Sequence, residues 1–303
     1  MFPFILLNND EYSAEFPEQL GSKQKYWLKN KGKSYLFKIG RPGTGENWAE
    51  NIAAELAELL KLPHAHYDLV IWRGHKGVLS PNIVPDDGHL ILGNELLSNI
   101  YTEYTRDNDR REPEHTLERI YNLLMDAKIG LPADYDLTGN AIITAYDVFL
   151  GYLLLDTWIS NQDRHHENWG IIQDSNGQRH LAPTFDHAAS MGQNEKDDVR
   201  EDRLKTKDNR RNISAYVEKA RSAIYESNTA KKPLLTLELF EEAARKSPKA
   251  ARIWLDELQK ISINTCQNLF DRLPPDEITP VGKEFALEML ILNKKRLLNA
   301  KKP

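Results

Sequence analysis

Between residues 161 and 187 the chain reads NQDRHHENWGIIQDSNGQRHLAPTFDH, and the order of Asp163, Asn168 and Asp186 constrains the fold more than any other feature. One carboxylate stands where an acceptor hydroxyl would arrive. An amide oxygen and a second carboxylate lie close enough in sequence to hold magnesium on nucleotide phosphates. That is the arrangement a phosphoryl-transfer site needs, provided a lysine for the phosphates exists upstream. The segments GII (170–172) and RHLAPTF (179–185) flank Asp174-Ser175-Asn176-Gly177 and read as a hairpin between the second and third of these groups. The longest apolar stretch, Ala141 to Ile159, runs directly into the motif. It contains Asp147 and Asp156, which argue against a membrane span and for a helix at the centre of a soluble domain.

Composition leaves room for this reading. A chain of 303 residues, 40% hydrophobic and 28% charged, can bury one large core, as one two-lobed domain or as two domains. Its net charge of −5 implies neither direct nucleic-acid binding nor an anionic membrane surface. The single cysteine, Cys266, excludes an internal disulfide framework and fits a cytoplasmic location. The N-terminal MFPFILLNNDE lacks a positive n-region and a cleavage site, so no signal peptide is expected.

Two lobes are expected, dividing near residue 85. In the first, QKYWLKNKGKSYLFKI (24–39) reads as two strands around Lys29-Asn30-Lys31-Gly32. ENWAENIAAELAELLKL follows as a helix ending before Pro63, then strands over 67–72 and 76–80, and a weaker one at HLIL (89–92). From about Thr116 the pattern is mainly helical, with amphipathic helices over 237–245, 248–261 and 281–298.

The upstream lysine is Lys38, at the end of the strand YLFKI. Glu50, in the next helix, is placed to pair with it and aim its ammonium group at phosphates. Taken alone, Lys38 reads first as one of many strand-edge lysines, and the downstream triplet reverses that reading. Two glycine-containing loops compete as the phosphate cover. In GSKQK, backbone amides near Gly21, with Ser22 and Lys25, can receive phosphate oxygens. In Arg41-Pro42-Gly43-Thr44-Gly45, the start of the following helix can do so. The first is the preferred cover and the second reads as the start of the helix.

These pieces resemble the HipA-like kinases, bacterial serine/threonine kinases with a phosphatidylinositol 3/4-kinase-like fold. The resemblance rests on GSKQK (21–25), LFK (36–38), AEN with its helix and LP (49–63), NQDRHHEN (161–168) and LAPTFDH (181–187), and covers most of residues 18–190. It implies an α+β, two-lobed protein-kinase-like fold, with a strand-rich lobe over 1–85 and a helical lobe over 86–303. It implies Asp163 as catalytic base, Asn168 and Asp186 on magnesium, and Lys38 on the phosphates of ATP with Glu50 orienting it. Leu79-Ser80-Pro81-Asn82 falls where the interlobe hinge would contact adenine. Two departures stand out: the chain is similar to the kinase core without the additional N-terminal subdomain of full-length HipA toxins, and its loop lacks a second glycine. In the family a serine of this loop is autophosphorylated, which makes Ser22 the candidate here.

Other polar residues have plainer readings. His165, His166, His180 and His187 are close in sequence and raise a zinc hydrolase as a competitor, but magnesium takes oxygen ligands and no H-x-x-x-H pair is present. His165 is expected to hold its loop, and Arg164 to bind a phosphate or a carboxylate. Trp158 and Trp169 read as packing residues. DDVREDRLKTKDNRR (197–211) reads as a solvated loop, or as a substrate platform on which Arg200, Arg203, Lys205, Arg210 and Arg211 receive an acidic substrate.

The expectation is therefore an ATP- and magnesium-dependent kinase acting on Ser or Thr of a protein. The resemblance adds a toxin role and an antitoxin partner through which any DNA contact would be made. A lipid or small-molecule kinase of the same fold, and a nucleotide-binding pseudokinase, are the alternatives.

Overall fold

The computed structural model describes residues 2–17, 24–104, 112–126, 128–133, 135 and 142–300. Gly21 and Ser22 of the expected phosphate cover lie outside the described residues.

The N-terminal part is a six-stranded sheet interrupted by one helix: β1 (Ile5–Leu6), β2 (Ser13–Pro17), β3 (Lys25–Asn30), β4 (Lys33–Ile39), α1 (Glu46–Leu59), β5 (Asp68–Trp72) and β6 (His75–Pro81). The strand order is β1-β5-β6-β4-β3-β2, antiparallel except where β1 pairs with β5. Lys31 and Gly32 both have positive φ, which a two-residue hairpin turn with native twist requires. Register fixes the chemistry of the two faces. Lys25 pairs with Lys38 and Trp27 with Leu36, while Leu36 pairs with Ser80, so these residues share one face. The alternate positions Leu28, Phe37, Val70, Trp72 and Leu79 form a small apolar cluster on the other.

The rest of the described chain runs β7 (His89–Leu92), α2 (Gly93–Ile100), α3 (Leu117–Leu124), β8 (Ile129–Gly130), α4 (Ala145–Ile159), β9 (Gly170–Gln173), β10 (Arg179–Leu181), α5 (Asp197–Lys205), α6 (Ile213–Glu218), α7 (Thr236–Lys246), α8 (Pro248–Lys260), α9 (Ile263–Asp271) and α10 (Pro280–Asn299). A second sheet, β7-β9-β10-β8, carries the expected hairpin. Its last strand stops at Leu181, two residues before Pro183, which has no N–H for a ladder.

Every residue of α4 is buried, because the helix is apolar all round and is enclosed by α1, α3, α7, α8 and α10. Its two acids are satisfied. Asp147 forms a capping box with Thr144, and Asp156 is held by Arg164. The core runs continuously from α1 through α4 to α10.

The charged segment 197–211 differs from its expected loop form, since α5 occupies 197–205. Two acids in its first turn and two bases in its last suit the helix dipole. The helices α2, α6 and α9 were also absent from the sequence reading. They are six to nine residues long, too short for a decisive apolar period.

Candidate active site

The sheet face bearing Lys38 opens on a cleft of about 510 Å³. Its lining includes Lys25, Lys38, Asp163, Asn168 and Asp186, so five residues singled out from sequence come together there. Apolar walls come from Leu36, Ile83, Leu90, Leu92 and Phe185. Of the expected hinge, Ser80, Pro81 and Asn82 line the cleft, while Leu79 belongs to the cluster on the opposite sheet face.

Lys25 and Lys38 are direct cross-strand partners, an arrangement that like-charge repulsion disfavours. Asp186 offsets it. The Lys38 ammonium lies 3.5 Å from one Asp186 oxygen and the Lys25 ammonium 3.6 Å from the other. Glu50 approaches Lys38 at 3.6 Å, and the Tyr67 hydroxyl accepts a hydrogen bond from it at 3.3 Å. Burial alone would push the Lys38 pKa down, but Asp186 and Glu50 outweigh it and raise the group well above its ordinary value. Lys38 is therefore a fixed cation over the accessible pH range. Glu50 also accepts a hydrogen bond from the backbone N–H of His187 at 2.7 Å, joining α1 to the loop that carries Asp186. Asp186 has φ +58°, in the left-handed region that aspartate tolerates better than most residues.

The loop after α4 is organised by a buried guanidinium. Arg164 donates to both oxygens of Asp156 at 2.7 Å, to the carbonyl of Asn168 at 2.6 Å and to Thr184 Oγ1 at 3.0 Å. Of the two partners left open for it, Arg164 therefore takes a carboxylate, and one fork aligns the loops of Asp163 and Asp186. Asn161 Oδ1 accepts from the backbone N–H of Asp163 at 3.1 Å, and Asn168 Nδ2 donates to the Asp163 carbonyl at 2.7 Å. The amide nitrogen of Asn168 is thus engaged inside the loop, which leaves Oδ1 as the atom able to meet a cation. With the carboxylate of Asp186, this hard oxygen donor set fits magnesium.

The histidines disperse. His166 meets Tyr104 at 2.7 Å, His180 the carbonyl of Leu131 and His187 Thr184, while His165 sits 3.9 Å from both Asp163 and Glu167. Among the described residues no three His, Cys, Asp or Glu side chains are grouped to hold a metal, so the zinc alternative has no ligand set. Trp158 and Trp169 are buried in the core, as expected of packing residues.

Sequence reasoning missed Tyr67, Asp156 and Asn161. Asp156 carried a signal, since a charge inside an apolar helix requires a buried partner. Tyr67 carried none.

No family model matches the chain, and no curated protein is significantly similar to it in sequence. Solved structures are more informative. The chain superposes on the Helicobacter pylori proinflammatory kinase CtkA with a TM-score of 0.74 at 16% identity, covering 99% of this chain and 100% of that one. It superposes on HipA of Shewanella oneidensis, solved with HipB and operator DNA, with a TM-score of 0.55 at 12% identity, covering 92% of this chain and 64% of that one. The fold is that of the HipA-like kinases. The architecture is accordingly α+β and two-lobed, the strand-rich part formed by β1–β6 and the remainder mainly helical. At these identities the likeness speaks for the fold alone.

Proposed function

We propose that the chain is an ATP- and magnesium-dependent kinase that phosphorylates serine or threonine on a protein. The observation that carries this reading is the convergence of Lys25 and Lys38 on Asp186, in the cleft that also presents Asp163 and Asn168. Bound MgATP would supply the phosphoryl group and the divalent charge. Asn168 Oδ1 and the Asp186 carboxylate are the ligands for that ion, and Lys38, aimed by Glu50, balances charge on the phosphates. Asp163, its backbone held by Asn161 and Asn168, accepts the proton of the acceptor hydroxyl. The lobes divide near residue 85, with Gly21, Ser22 and Lys25 covering the phosphates and Ser22 as an autophosphorylation site.

By analogy with the HipA neighbour, solved with HipB and operator DNA, the kinase acts as a toxin with an antitoxin-like partner that makes any DNA contact. The net charge of −5 supports an indirect contact. None of the described helices is long and apolar enough to cross a membrane; a cytoplasmic location is proposed from the single cysteine, which fits a reducing compartment.

Incubation with labelled ATP and magnesium tests the reading, comparing wild type with Asp163→Ala and Asp186→Asn and mapping the label. Label on Ser or Thr of the wild type alone is expected. A folded wild type that binds nucleotide but labels neither itself nor a protein mixture would overturn the protein-kinase reading, leaving a small-molecule or lipid acceptor or a pseudokinase.

A further inference from the structure

The helix that aims Lys38 begins without a capping side chain of its own. Its N-cap is Gly45, and a Cβ there would fall 1.9 Å from Trp48 Nε1, so no Ser, Thr or Asp fits. The helix start is gripped instead from a residue far along the chain. Gly45 donates its N–H to Gln193, at 2.9 Å to the carbonyl and 3.2 Å to Oε1. Gln193 lies seven residues after Asp186 and lines the same cleft.

Gln193 is held in turn by Arg200. This arginine, counted from sequence among groups for an acidic substrate, is buried and directed inward. Its Nη2 donates to the carbonyls of Gly192 at 3.0 Å and Gln193 at 3.2 Å, and its Nη1 to Asp197 at 2.8 Å. Asp197 also accepts from Thr279, the N-cap of α10, at 3.1 Å. Gly282 lets α10 approach, since a Cβ there would lie 2.8 Å from Arg200 Nη1. One chain of hydrogen bonds thus runs from the start of α10 through Asp197, Arg200 and Gln193 to the start of α1. One turn further along α1, Glu50 meets Lys38 and the backbone of His187.

We propose that Gln193 and Arg200 are positioning residues of the transfer site: they latch the segment after Asp186 to the first turn of α1 and thereby set the aim of Glu50 on Lys38. The latch rests on the kinase reading for its consequence, though not for its geometry. The segment that leaves Asp186 and the helix that orients the phosphate lysine move as one body. Anything that displaces α5, such as a docked substrate or partner, therefore alters the Lys38 site.

The test uses the full chain with Gln193→Met, which removes the Oε1 acceptor, Gln193→Glu, which retains it, and Arg200→Met. Amide hydrogen exchange at residues 45–49 is the first readout and needs no turnover. Gln193→Met keeps the 2.9 Å bond from Gly45 to the Gln193 carbonyl and should exchange there at most about twofold faster. Arg200→Met, which releases the Gly192 and Gln193 carbonyls, should exchange between about twofold and tenfold faster, with Gln193→Glu near wild type. The second readout is kcat and KM for ATP in a cycle with Glu50→Gln. Gln193→Met should lower kcat severalfold in the wild-type background and have little further effect beside Glu50→Gln. Unchanged exchange at residues 45–49 in a folded Arg200→Met variant, or full additivity of Gln193→Met with Glu50→Gln in the cycle, would overturn the proposal. If Arg200→Met does not fold, the Gln193 cycle with Glu50→Gln decides alone. An inactive wild type would instead overturn the kinase reading, and exchange would still judge the latch.

Discussion

The sheet β1–β6 and the helices around α4 supply opposite sides of one cleft, yet they are stabilised differently. Among the described residues, the outer face of the sheet is backed by a small cluster centred on Leu28, Phe37 and Trp72. The helical side rests on α4, buried along its whole length, and on the ion pair of Arg164 with Asp156 beneath the loop. Asp163 and Asn168 are thereby anchored in a thick core, whereas Lys38 sits on a thinner layer and owes its aim to α1. The proposed transfer, with fixed carboxylates facing an adjustable lysine side, suits such a division.

Substitutions at neighbouring positions break this contrast most sharply. Asp163→Ala should lower phosphoryl transfer on the order of 10³-fold while leaving stability nearly unchanged, because the carboxylate is partly exposed. Arg164→Met, one residue on, should do the reverse. It strands Asp156 in the core and should cost about 3–5 kcal/mol in chemical denaturation. A loss under about 1 kcal/mol would show that the guanidinium does not organise the loop.

On the sheet side, Phe37→Ala should cost about 3 kcal/mol and speed hydrogen exchange in β3–β6 while sparing α4. Uniform acceleration across both regions would mean that they unfold as one unit.

Acid should act on the helical side. Burial pushes the His115 imidazole down to about 3, where it accepts from Trp169 Nε1 and donates to the carbonyl of Ala223. The unfolded chain takes up this proton below about pH 6.5 and the folded chain does not until about pH 3. Stability is therefore complete above pH 6.5 and falls as the pH drops from there, by about 1 kcal/mol per pH unit for this group. His187, also held well below its ordinary value by burial, adds in the same direction. Denaturant midpoints at pH 7 and pH 5 should show a shallower dependence in His115→Gln than in wild type.

The smallest effect is expected where the two regions meet at the surface. Lys76 of β6 reaches Asp276 at 2.5 Å and Glu277 at 3.1 Å, and Lys76→Ala should cost under about 1 kcal/mol, most of it lost in high salt.

Much of the fold was legible because several elements carry strong local signals. The turn at Lys31-Gly32, the period of α1 before Pro63, the apolar run of α4 and the amphipathic pattern of α7, α8 and α10 each name their own structure. Segment 197–205 did not, because a helix with almost no apolar residues has no periodicity to read, and the dipole complement at its ends is a weaker signal. Arg200 was misplaced for the same reason. An arginine in a charged run reads as exposed, and its burial depends on Gly192, Gln193 and Gly282 converging from elsewhere.

From sequence alone it was determined which residue types could meet in the cleft, because the proposed phosphoryl transfer calls for carboxylates, an amide and a lysine in the order in which the chain carries them. Only the tertiary structure decided how they are held. The pairing of Lys25 with Lys38 on Asp186, the Arg164 fork and the grip of Gln193 on Gly45 join residues up to 161 positions apart. Such contacts leave no local pattern, since hydrogen bonds and charges act through space and the chain records only which groups it carries.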